Sequence, residues 1–122
     1  ELGISVASIA VRGEATGATG AWRGDVAATA KRPLKAGERL DGEGGFTVYG
    51  KLVPTTDSLA QDALPIGLAH NLVLTHDVPA GRAVRWSDVP YDASHPAIRV
   101  RREMEALFRA ELGLGSAAQR VA

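Results

Sequence analysis

The residues best suited to chemistry are three histidines, His70, His76 and His95. Their spacing matches no metal-ligand motif, and the chain has no cysteine that could complete a zinc site. Asp77 follows His76 directly, but neighbouring residues on an extended strand point to opposite faces. We interpret the histidines as surface or capping side chains. Metal binding by His76 or His70, and a general-base role, are the alternatives.

A second candidate is a group of basic residues around one predicted turn. A cationic cluster of this kind could bind a phosphate or a carboxylate. The alternative is a solvated strand edge, where lysines discourage aggregation between sheets. The serines lack the context of a nucleophile elbow, so the sequence predicts no catalytic residue. The basic residues are Lys31, Arg32, Lys35, Arg39 and Lys51.

Composition excludes several classes of protein. The 122 residues suit one domain with a modest core. Lys plus Arg and Asp plus Glu both total 14, so the net charge is zero, which disfavours a nucleic-acid partner. The absence of cysteine excludes disulfides and a cysteine nucleophile. No apolar run approaches the roughly 18 residues that a membrane helix needs, so we expect no membrane partner.

One pattern occurs twice, 44 residues apart, and the elements of the chain are arranged around it. Residues 34–40 and residues 78–84 each read aliphatic, any residue, Ala-Gly, two variable residues, aliphatic. The pattern predicts a strand that ends, a turn, and a second strand or bridge. Gly37 and Gly81 stand where the turn favours a positive φ, and Pro79 suits the first turn position. Two such corners predict a pseudo-symmetric β unit.

The remaining local signals complete a mainly β chain. Strands are predicted at residues 25–31, where Val26, Ala28 and Ala30 alternate, and at residues 46–49, which are β-branched and aromatic. Residues 13–20 predict a loop, and the glycine spacing there differs from that of a dinucleotide-binding loop. The apolar spacing of residues 2–12 does not decide between helix and strand.

A helix is predicted at the C-terminal end. Pro96 suits its first turn, Ser94 or His95 could cap it, and Gly113 would end it. Its apolar residues recur at helical spacing and predict one face that the β body or a partner chain must cover. The residues of that face are Val100, Met104, Leu107, Phe108 and Leu112.

The charged and aromatic side chains are interpreted structurally. Glu105 and Arg109 are spaced as an i, i+4 ion pair, and residues 99–103 are interpreted as a solvated helix face. The large aromatic residues are interpreted as core or interface anchors. They are Trp22, Phe46, Trp86 and Tyr91.

Longer strings carry a resemblance to a known family. Residues 28–42 (Ala-Thr-Ala-Lys-Arg-Pro-Leu-Lys-Ala-Gly-Glu-Arg-Leu-Asp-Gly) resemble the start of a SAF domain, which has a β-clip fold. Residues 44–50, 64–68, 84–89 and 101–105 resemble one subgroup. That subgroup is the C-terminal region of NAD(P)-dependent oxidoreductases similar to homoserine dehydrogenase and deoxyxylulose-phosphate reductoisomerase. The match covers residues 24–108, and it departs at Pro33, where the subgroup has an acidic residue.

The resemblance implies a non-catalytic SAF-like accessory domain of a larger cytoplasmic reductase, which caps the active site or mediates assembly. Residues 1–23 would be a helix and linker from an upstream catalytic domain, 24–92 the β-clip domain, and 93–122 the C-terminal helix and tail. NAD(P) would bind the upstream Rossmann domain, and this chain would hold no cofactor and no metal. A homo-oligomer is expected.

Two alternatives remain open at this point. One is a free-standing SAF module that binds a sugar acid or another carbohydrate, and the other is an assembly chaperone of the flagellar kind. On the first interpretation, a set of residues would face the substrate or a neighbouring domain, while Gly37 and Gly81 would be structural. The facing residues would be Lys31, Arg32, Gly44, Gly45, Tyr49 and Lys51.

Overall fold

Two small antiparallel sheets form the body of the chain. The computed structural model describes residues 2–17 and 20–114. Strand β1 (Gly24–Ala30) pairs with β3 (Val48–Pro54), from Gly24 opposite Pro54 to Ala30 opposite Val48. Strand β2 (Arg39–Asp41) pairs with β4 (His70–Val73). The strand predicted at residues 25–31 is therefore confirmed, and the second begins two residues later than predicted.

The two predicted corners lie against each other. Leu34 and Val78 form an antiparallel bridge in which each backbone N–H donates to the other carbonyl, over 2.8 and 2.9 Å. Gly37 has φ +89° and Gly81 has φ +76°, so both corners need the left-handed conformation. The turns predicted from the repeated pattern are confirmed.

The backbone hydrogen bonds obey the predicted internal two-fold. Each of two bonds on one side of the Leu34–Val78 bridge has an equivalent on the other side. In the equivalent bond, the lower residue number is raised by 44 and the higher one is lowered by 44. The amide of Gly37 donates to Leu74 and that of Gly81 donates to Ala30. Likewise, the amide of Leu74 donates to Glu38 and that of Ala30 donates to Arg82. This symmetry explains why the same pattern occurs twice in the sequence.

Helices occupy more residues than strands, so the prediction of a mainly β chain is only partly correct. Helix α1 (Leu2–Ala7) continues as a π-helical turn (Ser8–Arg12), α2 is Thr55–Gln61 and α3 is Pro96–Glu111. Single 3-10 turns lie at Ile66–Leu68 and Trp86–Asp88. None of the helices in the described part is long and apolar enough to cross a membrane.

The core lies between the two sheets. Trp86, only 2% exposed, is its largest side chain. Aliphatic side chains from both corners and from β1, β2 and β3 surround it, because the pseudo-two-fold brings equivalent aliphatic positions to one centre. They include Ala28, Ala30, Leu34, Leu40, Val48, Leu64, Leu74, Val78 and Val84.

The predicted buried face of α3 is only partly correct, since Met104 and Phe108 are half-buried. Val100, Leu107 and Leu112 are exposed, whereas Glu105 and Arg109 are buried. The reason is electrostatic, since the surface that α3 meets on the β body carries carboxylates that pair with its basic residues. Ion pairing with the β body therefore determines which side of α3 is buried, more than the spacing of its apolar residues does.

The predicted ends of α3 are partly correct. Pro96 is its first residue, and Gly113, at φ +64°, follows its end. The side chain of His95 makes no capping bond, and Ser94 instead donates its hydroxyl to Asp92 over 2.6 Å. Neither predicted residue therefore caps the helix through its side chain.

Candidate functional site

Residues 41–47, which we call the glycine loop, form a rigid exposed turn after β2. The Asp41 carboxylate accepts hydrogen bonds from the backbone N–H of Phe46 at 2.6 Å and of Thr47 at 3.1 Å, and from the Thr47 hydroxyl. The Thr47 hydroxyl, helped by these amides, lowers the pKa of Asp41 to about 2, although burial acts against this. The loop is therefore held by an ionised carboxylate at neutral pH.

Three of the predicted facing residues meet in this loop. Lys31 donates from Nζ to the Gly45 carbonyl over 2.5 Å, and Gly44 adopts φ +79°. A Cβ on Gly45 would overlap the Asp41 carboxylate, so only glycine fits there. The loop presents Phe46, which is 85% exposed. Phe46 is therefore not a core residue, and its interpretation as an interface anchor stays a prediction.

An apolar patch lies on the β1–β3 pair. Val26 stands opposite Leu52, which is 75% exposed, and both Val26 and Ile66 approach Gly50. Gly50 has no room for a Cβ because Val26 already fills that space, and Leu52 lies against Gly24. The two glycines therefore leave room for the neighbouring aliphatic side chains. We call Val26, Leu52 and Ile66 the apolar patch.

The other predicted facing residues on β3 are placed by strand register. Tyr49 stands opposite Thr29, and Lys51 stands opposite Ala27. Opposite residues in a pair share a face, so Tyr49 and Lys51 lie on the face away from the apolar patch. Tyr49 and Lys51 are both exposed.

Two of the five residues of the predicted cationic cluster are neutralised by carboxylates within the chain. Arg32 forms an ion pair with Glu38 at 2.7 Å, and Lys35 forms one with Asp77 at 2.7 Å. These bonds raise the pKa of Arg32 and of Lys35. Arg39 donates to the Asn71 carbonyl at 3.0 Å. An anion would have to compete with carboxylates already in place, so the cluster is a weaker anion site than the sequence indicates.

The histidines behave as surface side chains. His70 contacts the Asp41 carbonyl through Nδ1 at 3.1 Å, and His76 contacts the Thr75 hydroxyl at 2.9 Å. Across residues 2–17 and 20–114, no three histidine or carboxylate side chains are grouped to hold a metal ion. The alternative of metal binding gains no support from this arrangement.

A cleft of about 310 Å³ adjoins the glycine loop. Leu72 and Ile98 contribute apolar lining, while His70, Asp92 and His95 contribute polar groups. Its link to the loop is the contact between His70 and the Asp41 carbonyl. Sequence reasoning missed this cleft because its lining comes from residues 67–72 and 92–98, which the fold brings together.

Sequence reasoning also missed a buried ionic network between α3 and the body. Arg101 pairs with both carboxylate oxygens of Asp25, at 3.1 and 2.5 Å, and with Glu105 at 2.7 Å. Burial raises the pKa of Asp25, but the bonds from Arg101 and from the Ser58 hydroxyl outweigh it and lower the pKa. The interpretation of residues 99–103 as a solvated face is therefore wrong at Arg101.

The network extends along α3. Glu105 accepts hydrogen bonds from Trp86 Nε1 at 3.2 Å and from Arg102 at 2.5 Å. Arg109 pairs with Asp62 at 3.3 Å, not with Glu105 as the spacing predicted. The i, i+4 pair was wrong because Asp62, remote in sequence, offers Arg109 a carboxylate on the body.

Comparison with known families agrees with this architecture. The family model described as SAF domain matches residues 25–90, which is more than half of the chain. The chain belongs to the SAF domain family. We call residues 25–90 the SAF module, and it contains both corners, the glycine loop and the apolar patch. Its two small antiparallel sheets are compatible with a β-clip. No curated protein matches the chain.

Proposed function

We propose that this chain is a non-catalytic accessory domain of an NAD(P)-dependent oxidoreductase similar to homoserine dehydrogenase. In this proposal the SAF module packs against a Rossmann catalytic domain of the same polypeptide, which binds NAD(P), and it caps the active site or mediates homo-oligomeric assembly. The support is the resemblance of residues 44–50, 64–68, 84–89 and 101–105 to that subgroup. A cytoplasmic location would follow from the parent enzyme.

The main observation behind the proposal is that exposed apolar side chains stand on backbone that is held in place by hydrogen bonds. Leu52 and Phe46 are the most exposed large apolar residues of the SAF module, and both stand on backbone that is fixed by strand pairing or by the Asp41 carboxylate. Large apolar side chains exposed on a protein surface can mark an interaction site. A fixed backbone lowers the entropic cost of docking, so these positions suit a permanent neighbouring domain.

Helix α1 supports the same conclusion. Aliphatic side chains occupy most of the surface of α1 and of the π-helical turn after it and are exposed, while Ser5, Ser8 and Arg12 share the remaining side. Exposed apolar surface of this kind favours packing against another domain. We assign α1 to the last helical piece of the upstream catalytic domain. The exposed residues are Leu2, Ile4, Val6, Ile9 and Val11.

The test is hydride transfer by the complete reading frame. We expect its product to reduce NAD(P) with homoserine or another hydroxy acid, and Leu52→Asp to lower that rate without changing the unfolding midpoint. Leu107→Asp, at an equally exposed leucine on α3, is the matched control and should keep the rate. A reading frame without a Rossmann segment, or a Leu52→Asp enzyme with unchanged rate, would refute the proposal.

The cleft favours a second candidate, a module that binds a sugar acid. Ring N–H groups of His70 and His95 could donate hydrogen bonds to a carboxylate, and Asp92 could accept from a sugar hydroxyl. A sugar acid at about 100 times its Kd would raise the stability of the isolated chain by about 2.7 kcal/mol. A thermal shift that is present in the wild type and absent in His70→Asn would favour this candidate over the first.

A further inference from the structure

The backbone that leads into the SAF module is held in place at Trp22 and Arg23. Trp22, two residues before the start of β1, accepts at its carbonyl a hydrogen bond from the Thr55 hydroxyl at 2.8 Å. The next carbonyl, that of Arg23, accepts from the Thr55 backbone N–H at 3.2 Å. The first residue of α2 therefore holds the backbone at the start of β1.

The Trp22 ring is held from a different direction, by α3. The guanidinium carbon of Arg101 lies 4.5 Å from the ring centroid, within the range of a cation–π contact. The Phe108 ring meets Trp22 edge-on, with centroids 5.5 Å apart and planes at 78°. Arg101 cannot swing away freely, because Asp25 and Glu105 bind its guanidinium in a site where it is only 12% exposed.

Neither side of this contact belongs to the SAF module. Trp22 precedes residue 25 and α3 follows residue 90, so both lie outside the family match. Upstream of Trp22, residues 13–17 are exposed, and α1 makes its main contacts with the π-helical turn that continues it. Among the described residues, the connection is thus held at Trp22 from two sides: Thr55 of the SAF module binds its carbonyl, and a helix from the opposite end of the chain holds its ring.

We infer that α3 is a strap that locks Trp22 and thereby sets the direction in which the preceding chain leaves the SAF module. This role gives a reason for a helix that buries Glu105 and Arg109 while much of its apolar face stays exposed. The inference does not depend on the proposed function, because it would apply to any domain joined upstream of Trp22.

Trypsin cleavage of the full chain tests the strap. Arg23 follows Trp22, while Arg12 lies upstream and serves as an internal control for protease activity. In the wild type we expect cleavage after Arg12 to be much faster than cleavage after Arg23. Trp22→Ala and Phe108→Ala should speed cleavage after Arg23 by about tenfold or more, because local release of the backbone exposes that bond.

Matched controls separate the strap from a general loss of stability. Phe46→Ala removes an exposed aromatic ring, and Leu107→Ala removes an exposed side chain next to Phe108 on α3. Both should leave cleavage after Arg23 unchanged, and Trp22→Phe should restore most of the protection. The cleavage rates of all variants are compared under conditions in which the same fraction of each protein is folded, as calculated from its urea unfolding midpoint. Equal rates at Arg12 and Arg23 in the wild type, or no acceleration in Trp22→Ala, would overturn the inference.

Discussion

At the residue scale, the most informative positions are those where only one residue type fits. Gly37 and Gly81 were identified from the sequence, because a repeated Ala-Gly between aliphatic residues indicates a turn with positive φ. Asp41 was not, since its bonds to Phe46 and Thr47 depend on a loop geometry that no local pattern encodes. Sequence patterns reveal backbone requirements more readily than side-chain partners.

Substitution of the corner glycines tests their conformation. Gly37→Ala and Gly81→Ala should each lower the free energy of unfolding by about 1–2 kcal/mol, because an L-residue at positive φ is strained. Space is not the cause, since nothing lies within 4 Å of a Cβ at either position. Gly67→Ala is the control, as it has the same open space and no positive φ. Urea unfolding measures all three, and equal midpoints would contradict the account.

The glycine loop predicts an acid-sensitive stability. The folded pKa of Asp41 is about 2, below its ordinary value of 3.8, so its contribution is fully present above pH 3.8. It should be lost as the pH falls from 3.8 towards 2, and the lowered pKa of Asp25 acts in the same direction. Urea midpoints across this range should fall less steeply in Asp41→Asn than in the wild type. Asp57→Asn, at an exposed position of α2, should follow the wild type.

At the element scale, α3 shows where sequence reasoning succeeds and where it stops. Its start at Pro96 and its end before Gly113 follow from local rules. Its buried face does not, because Arg101 and Arg109 are turned inward by Asp25 and Asp62, which are far away in sequence. The spacing of apolar residues predicts that a helix exists, but which side of the helix is buried depends on the surface that it packs against.

Removal of one charge from the ionic network should lower the free energy of unfolding. Arg101→Met leaves Asp25, which is nearly buried, without its cation, so we expect a loss of about 3–5 kcal/mol in the free energy of unfolding. Arg99→Met is the matched control, because Arg99 is exposed and its oxygen partner on Glu103 lies 3.8 Å away. That change should stay within about 0.5 kcal/mol. Similar losses in both variants, measured by urea unfolding, would show that the network does not hold α3.

At the scale of the whole molecule, the pseudo-two-fold builds a scaffold whose core is complete without α1. Both corners, Trp86 and all of the core aliphatic residues except Ile98 of α3 lie within the SAF module. The apolar surface left outside that core is what the proposed catalytic domain would cover. The sequence predicted the symmetry from the repeated pattern. It could not predict the apolar patch, because the contacts of Leu52 depend on the register that places Val26 opposite it and Gly24 beside it.

The most direct test of the central claim is calorimetric titration of NADPH into two proteins, the 122-residue chain and the product of the complete reading frame. The account predicts binding by the complete product and none by the chain alone, because the cofactor site is assigned to the upstream domain. Binding of NADPH to the chain alone, or failure of the complete product to bind NADPH or NADH, would contradict it.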